Sequence, residues 1–156
     1  MTWTRVGGGF VAFGQVNLAL RANRTIWLAT TRPDGRPHVA PVWFLWDGHR
    51  ACFSTGTRTQ KAVNLRGQSW AVLHLGDGDE VVMLEGPAAP VTDPARLHAL
   101  DEAYGDKYPQ PVTGQRAPIR PTGSEVVYEL RPERITSWSY GNVRSRTVWT
   151  SPAPPH

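Results

Sequence analysis

The sequence predicts a single, mainly β domain: a β-barrel with flanking helices. Its 156 residues fit one domain that buries enough apolar surface to be stable without a disulfide. Glycine (15 residues) and proline (14 residues) are frequent and charged residues make up only 19%, which favours strands and turns over a helical bundle. Seven or so short strands point to a barrel rather than a layered α/β sheet. We expect the domain to span residues 1–150 and residues 151–156 to form a disordered, proline-rich tail.

The first half of the chain alternates strand and turn signals after a weakly helical stretch. In the first turn Pro33 presets φ and Gly35 accepts a positive φ, and Asp47-Gly48 makes the second turn. The predicted helix and the three strands of this meander are Gly14–Ala22, Thr25–Thr31, His38–Trp46 and Arg50–Ser54.

The second half adds two helices and the remaining strands. A short helix is predicted over Thr57–Arg66, opened by the capping residues Ser54, Thr55 and Thr57. Asp93 followed by Pro94 predicts the start of a second helix over Ala95–Tyr104, and a proline-rich stretch from Pro109 to Pro121 then covers the surface. The predicted strands are Trp70–Leu75, Glu80–Val91, Glu125–Arg131, Ile135–Tyr140 and Arg146–Thr150.

Charge and cysteine usage limit the possible partners and the compartment. The net charge of +4 and the isoelectric point of about 9.7 favour anionic ligands. The 17 basic residues never form a run of four, so we expect no nucleic acid as the main partner. The single cysteine, Cys52, excludes an internal disulfide and favours a cytoplasmic location. Since no apolar run reaches the length of a membrane span, we expect no membrane association.

The segment Phe53–Leu65 is a candidate anion site. A strand ends in hydroxyl residues and a glycine and then enters a helix, so free backbone N–H groups converge there. Arg58 and Lys61 lie three residues apart, so the pattern predicts that they share a helix face and clamp a phosphate ester beside Ser54 and Thr55. The alternative from the residues alone is a capped surface helix with solvated basic side chains.

The strand His38–Trp46 is apolar on both faces and contains Pro41. Proline cannot donate a ladder hydrogen bond, so this strand is predicted at an edge or a bulge, where a flat ring could lie against it. An ordinary edge strand is the competing interpretation. Trp43 and Trp46 are predicted as core or dimer-contact residues rather than cofactor stackers.

Other catalytic motifs are missing or weak. Gly7-Gly8-Gly9 lacks the spacing of a dinucleotide fingerprint, and the chain has no Walker loop and no Gly-x-Ser-x-Gly elbow. Asp77, Asp79 and Glu80 fall in a glycine-rich turn that favours hairpin solvation over acid–base work. No metal-ligand spacing is found among the five histidines, His38, His49, His74, His98 and His156.

Taken together, these segments resemble the split β-barrel family of pyridoxamine 5′-phosphate oxidase-like proteins, in its flavin/deazaflavin oxidoreductase branch. The matching stretches are Ala29–Phe44, Phe53–Gly56, Lys61–Leu65 and Leu84–Gly86, and the likeness runs from about Gly14 to Thr150. The resemblance implies a split β-barrel of the FMN-binding type that forms a homodimer, with two cofactor sites at the subunit interface. The implied cofactor is coenzyme F420, the deazaflavin, or alternatively FMN.

The resemblance also implies roles for individual residues. Many relatives carry a basic residue two places before the lysine, where this chain has Thr59, and Arg58 stands one step earlier. The residues implied to bind the cofactor are His38, Ala40, Pro41, Val42, Ser54, Thr55, Arg58, Thr59, Lys61, Asn64 and Trp149. In this set Ala40, Pro41 and Val42 would lie along the ring system. The phosphate would be held by Ser54, Thr55 and Lys61. Asn64 would support that loop, and Trp149 would be a wall residue.

The implied activity is the transfer of a hydride from reduced F420 to a small unsaturated or conjugated substrate, without a catalytic base from the protein. Three alternatives remain open at this point. They are an FMN-dependent oxidase or reductase, a haem- or tetrapyrrole-handling protein in which His38 or His74 acquires a role, and a non-enzymatic module that carries a cofactor or contacts nucleic acid.

Overall fold

The computed structural model describes residues 2–9, 11–109, 119, 121 and 123–151. Three helices are present: α1 (Phe13–Ala22), α2 (Gln60–Gly67) and α3 (Pro94–Lys107). The strands of the first half are β1 (Thr4–Gly8), β2 (Thr25–Thr31), β3 (Pro37–Trp43), β4 (Leu45–Trp46) and β5 (Ala51–Gly56). Those of the second half are β6 (Trp70–Leu75), β7 (Glu80–Pro90), β8 (Glu125–Leu130), β9 (Arg134–Ser139) and β10 (Asn142–Thr150).

The strands form a barrel that is split along one side. One antiparallel sheet has the order β1-β10-β9-β7-β6-β2-β3, and a second connects β4 to β5, β5 to β8 and β8 to β7. Strand β7 belongs to both sheets, and the chain passes directly from β3 into β4 at the opposite seam. Among the described residues β3 pairs only with β2, and β4 only with β5, so this seam is not closed by ladder hydrogen bonds. The mainly β, split-barrel prediction is confirmed.

Gly86 permits β7 to leave one sheet and enter the other. A Cβ atom at this position would lie 2.1 Å from the carbonyl oxygen of Arg131, closer than any real side chain tolerates. The N–H of Arg131 donates to the Pro87 carbonyl (2.9 Å) and the N–H of Glu133 to the Glu85 carbonyl (2.8 Å), so the two backbones are locked together here. The bend therefore requires glycine.

Most predicted elements are present, with differences at their ends. Gly35 and Gly48 adopt positive φ in the predicted turns (87° and 104°), and the side chain of Asp93 caps α3 by accepting from the N–H of Arg96 (3.0 Å). The strand predicted as His38–Trp46 is interrupted at Phe44, where it changes sheets. Strand β1 was not predicted, because two of its five residues are glycines and its exposed side chains show no apolar alternation.

Two apolar clusters fill the molecule. The larger one lies inside the barrel under α1 and α2, and the smaller one lies between α3 and the second sheet. Trp149 belongs to the larger cluster: it is 3% exposed and packs edge-to-face on Phe13 at 5.8 Å between ring centroids. Part of the proline-rich stretch predicted at Pro109–Pro121 and residues 152–156 of the predicted tail lie outside the described residues.

A buried carboxylate connects α3 to the second sheet. Glu129 on β8 has a side chain only 7% exposed and accepts from Arg50 (2.8 Å), Arg96 (3.0 Å) and Arg131 (3.3 Å). Arg96, on α3, also contacts Asp47 in the turn after β4 (2.6 Å). Desolvation, and then the charge of Glu129, raises the pKa of the neighbouring Cys52 thiol to about 12. Cys52 is therefore an unreactive core residue.

Within the described residues, none of the helices is long and apolar enough to cross a membrane.

Candidate cofactor-binding site

The loop that leads into α2 is held by threonine hydroxyls. Thr59 caps the helix, accepting from the N–H of Ala62 (3.4 Å), and its hydroxyl lies 2.9 Å from the hydroxyl of Thr55. The N–H of Thr57 donates to the Ser124 carbonyl (2.9 Å). The predicted capping roles of Ser54, Thr55 and Thr57 are wrong, because pairing with β8 keeps the chain extended as far as Gly56.

Arg58 does not lie on the helix. It occupies the turn before α2 and lines an open cavity of about 600 Å³ with its neighbours and with Gly123 and Ser124. The prediction that Arg58 and Lys61 share a helix face is therefore wrong, since α2 begins at Gln60. Lys61 lies in the first turn of α2, where a cation adjoins the free N–H groups of the helix start.

Asn64 fastens α2 to the barrel. Its side chain is 1% exposed, donates to the hydroxyl of Thr30 on β2 (2.9 Å) and accepts from the side-chain amide of Gln60 (2.7 Å). This contact fixes the helix start relative to β2. The supporting role that the resemblance gives Asn64 agrees with this position, whereas Thr30 was missed because it lies within an otherwise apolar strand.

His38 lies opposite Thr30 in the β2–β3 ladder, and so faces the same side of the sheet. Its Nδ1 atom is buried and has no hydrogen-bond partner among the described residues. Desolvation lowers the pKa of His38, and the positive charges of Arg32 and Lys61 lower it further. Two cations thus converge near a neutral imidazole beside α2, an environment that favours an anion.

Ser54 and Thr55 point to opposite sides of β5, because consecutive strand residues alternate. Thr55 faces the barrel interior and contacts Thr59, whereas Ser54 lies opposite Val127 of the smaller apolar cluster. The Ser54 hydroxyl oxygen is buried without a partner among the described residues. A buried polar atom of this kind needs a further partner, for example water or a ligand.

Strand β3 forms one edge of the larger sheet, so the edge position predicted from Pro41 is confirmed. Ala40 and Val42 lie opposite Leu28 and Ile26 and face the core, whereas Pro41 lies opposite Trp27 on the outer face. A ring placed along this strand would therefore meet the outer face and the free backbone edge, not all three side chains.

We call the region around Thr30, His38 and Lys61 the corner beside α2. Within one chain, Trp149 does not lie there. It lies on β10, separated from β3 by β9, β7, β6 and β2 in the sheet order. His74 lies on the outer face of β6, opposite Trp27. No group of three or more potential metal ligands is found in the part of the chain that the structure describes.

A wider cleft, of about 920 Å³, opens between α1 and the ends of β6, β7 and β9. It lies at the Thr25 end of β2, whereas the corner beside α2 lies at the Thr30 end. Its rim carries Asp77, Asp79 and Glu80, so its charge does not suit a phosphate. The corner beside α2 is therefore the better candidate for a phosphate.

Comparison with known proteins agrees with this geometry. The family model of pyridoxamine 5′-phosphate oxidase matches residues 14–139, which include β2, β3, β5 and α2. The chain belongs to this family. The split-barrel resemblance drawn from the sequence is thereby confirmed.

The chain is similar to three further proteins in sequence or in fold. The F420H2-dependent biliverdin reductase of Mycobacterium tuberculosis (strain CDC 1551 / Oshkosh) is 33% identical over 136 residues, 86% of this chain and 89% of the relative. A solved F420 reductase is 26% identical, with a TM-score of 0.57 over 76% of this chain and 92% of that one. An FMN-binding, pyridoxamine 5′-phosphate oxidase-related protein of Nostoc punctiforme shares the fold, with a TM-score of 0.64, 22% identity and 90% of each chain covered.

Proposed function

We propose that this protein is an F420H2-dependent oxidoreductase that passes a hydride to a small unsaturated or conjugated substrate. The observation that carries the proposal is the corner beside α2, where the buried Nδ1 atom of His38 has no partner among the described residues and lies within reach of the charge of Lys61 at the helix start. A phosphate-bearing cofactor fits these donors. The 33% identity to an F420H2-dependent enzyme supports F420 over FMN.

In this proposal the chain binds and orients the cofactor, and reduced F420 supplies the hydride equivalent when bound. Lys61 and the first N–H groups of α2 hold the phosphate, and Asn64 keeps the helix in position through Thr30. The edge of β3 that faces away from β2 offers backbone N–H and C=O groups to the polar rim of the ring system. Pro41 interrupts this row and leaves a flat apolar contact.

We further propose that two copies of the chain form a homodimer through the outer face of the larger sheet. Trp27, Val39 and Trp70 are 49%, 57% and 43% exposed, which is unusual for large apolar side chains. The ladder partners Trp27 and Pro41 place this face beside the edge strand that would meet the ring. A second copy with the same apolar face would cover it and close the cofactor groove.

The substitution Trp27→Glu is expected to convert the dimer into a monomer, because it places an unpaired charge at the centre of the apolar face. Size-exclusion chromatography with light scattering measures the change. The matched control is Leu18→Glu, at an apolar residue of α1 that is 69% exposed. If Trp27→Glu leaves the mass unchanged and Leu18→Glu does not, the interface lies elsewhere.

The cofactor assignment is tested by titrating the purified protein with F420 and with FMN and following their fluorescence. We expect F420 to bind at least about tenfold more tightly, a difference of about 1.4 kcal/mol. Tighter binding of FMN would support the alternative that the protein is an FMN-dependent oxidase or reductase. Binding of neither cofactor would contradict the proposal.

A further inference from the structure

A stack of aromatic rings lies where β3 passes into β4 beneath the end of α3. The Trp43 ring is parallel to that of Tyr108, with 4.7 Å between centroids and 7° between planes. The Tyr104 ring adjoins Tyr108 at 4.5 Å. Tyr108 is 1% exposed, but Trp43 is 44% exposed, so the stack ends in an indole that solvent can reach.

Two cations border this stack. The guanidinium carbon of Arg24 lies 5.5 Å from the Trp43 centroid and 5.2 Å from the Tyr108 centroid. The ammonium of Lys107 donates to the Phe44 carbonyl (3.0 Å) and lies 4.1 Å above the Phe44 ring. Neither Arg24 nor Lys107 forms an ion pair with another described residue.

A half-buried cation without a carboxylate partner is costly. Desolvation lowers the pKa of Lys107 to about 8, and repulsion from Arg24 contributes to the decrease. A bound anion would neutralise both groups and remove this repulsion. The pair is therefore suited to a ligand that brings negative charge to the exposed side of the stack.

The position of the stack relates it to the proposed cofactor groove. Trp43 lies two residues after Pro41 on the same outer face of β3, about 7 Å along the strand. A molecule stacked on Trp43 would therefore adjoin a ring that lies along Pro41.

We propose that Trp43, Arg24 and Lys107 form a substrate subsite that binds a flat, conjugated molecule carrying a carboxylate. The inference rests on the proposed function and specifies the substrate class of that site. The indole presents its free face to the conjugated system. Arg24 and Lys107 bind the carboxylate through charge-assisted hydrogen bonds. Lys107 keeps its contact with Phe44 and uses its remaining donors.

The test compares biliverdin, a flat conjugated dicarboxylate, with its dimethyl ester, which lacks the charges. Quenching of tryptophan fluorescence measures the binding of each ligand to the full chain, with and without F420. We expect the wild-type protein to bind the acid about tenfold or more tightly than the ester. Equal affinity for acid and ester, or no binding of the acid, would overturn the proposal.

Variants identify the residues that cause the difference. Arg24→Gln and Lys107→Met are each expected to weaken binding of the acid about tenfold and to leave binding of the ester and of F420 unchanged. Arg21→Gln, on α1, is the control and should preserve the preference for the acid. If both substitutions weaken acid and ester equally, the two cations have only a structural role and the proposal fails. Arg24 is exposed, so its variant tests the idea even if Lys107→Met unfolds.

Trp43→Leu is expected to weaken binding of both acid and ester, because both stack on the indole. Retention of full affinity by this variant would contradict the stacking contact. These outcomes are separate from the cofactor assignment, which the titration of the wild-type protein with F420 and with FMN tests.

Discussion

Replacing Glu129 by alanine is expected to lower the free energy of unfolding by about 3–5 kcal/mol. The Glu129 carboxylate is almost completely buried and is the common partner of Arg50, Arg96 and Arg131. Its removal leaves the guanidinium of Arg96, whose side chain is 26% exposed, without its partner on β8. The loss should lie near the lower end of the range, because Arg50 and Arg131 can turn towards water.

Urea denaturation followed by tryptophan fluorescence measures this change. Glu129→Gln keeps the shape and one acceptor oxygen, so we expect an intermediate loss. Glu133→Ala, at an exposed position in the following turn, is the control and should change the stability by less than about 0.5 kcal/mol. A loss below about 1 kcal/mol for Glu129→Ala would mean that the ion pair between Glu129 and Arg96 does not hold α3 on the second sheet.

The second large effect is expected for cofactor binding: Lys61→Ala should weaken the affinity for F420 by about 1.5–3 kcal/mol, the usual contribution of a charge-assisted hydrogen bond. Lys61 lies in the first turn of α2, and its charge reaches the imidazole of His38. The substitution removes this charge without removing the Thr59 cap or the Asn64–Thr30 bond. Folding should therefore be preserved.

Fluorescence titration with F420 measures the affinity, and thermal unfolding verifies that the variant is folded. Arg21→Ala, which removes a positive charge from α1, is the control for a change in net charge and should retain wild-type affinity. If Lys61→Ala binds F420 as tightly as the wild type, Lys61 is a solvated surface residue with no role in cofactor binding. Lys61→Arg should recover part of the lost affinity, because it keeps the charge but not the geometry.

Most strands, though not β1, were predictable from the sequence because apolar alternation and turn residues are local signals. For example, Gly35 and Gly48 adopt positive φ in turns and Asp93 caps α3, as these residue types predict. The start of α2 was not predictable in this way, since several hydroxyl residues precede the helix and each could cap it. Pairing with a strand about 70 residues later in the chain decides between them, and Thr59 is left as the cap.

The site residues likewise divide into those that local sequence signals predict and those that only the fold brings together. Pro41 indicates an edge strand from its missing N–H alone, and the structure places it there. The contact of Asn64 with Thr30 depends on how α2 packs on β2, and no spacing in the sequence reveals it. Lys107 and Arg24 are separated by more than 80 residues, and only the fold brings both of them to the rings of Trp43 and Tyr108.

Because β7 belongs to both sheets, neither sheet is complete without a strand of the other. Opening one sheet would expose the strand on which the other depends, and the bend at Gly86 transmits the disturbance through its bonds to Arg131 and Glu133. The whole barrel therefore gains or loses its structure as one cooperative unit. A ligand held at any point on this barrel thereby stabilises all of it.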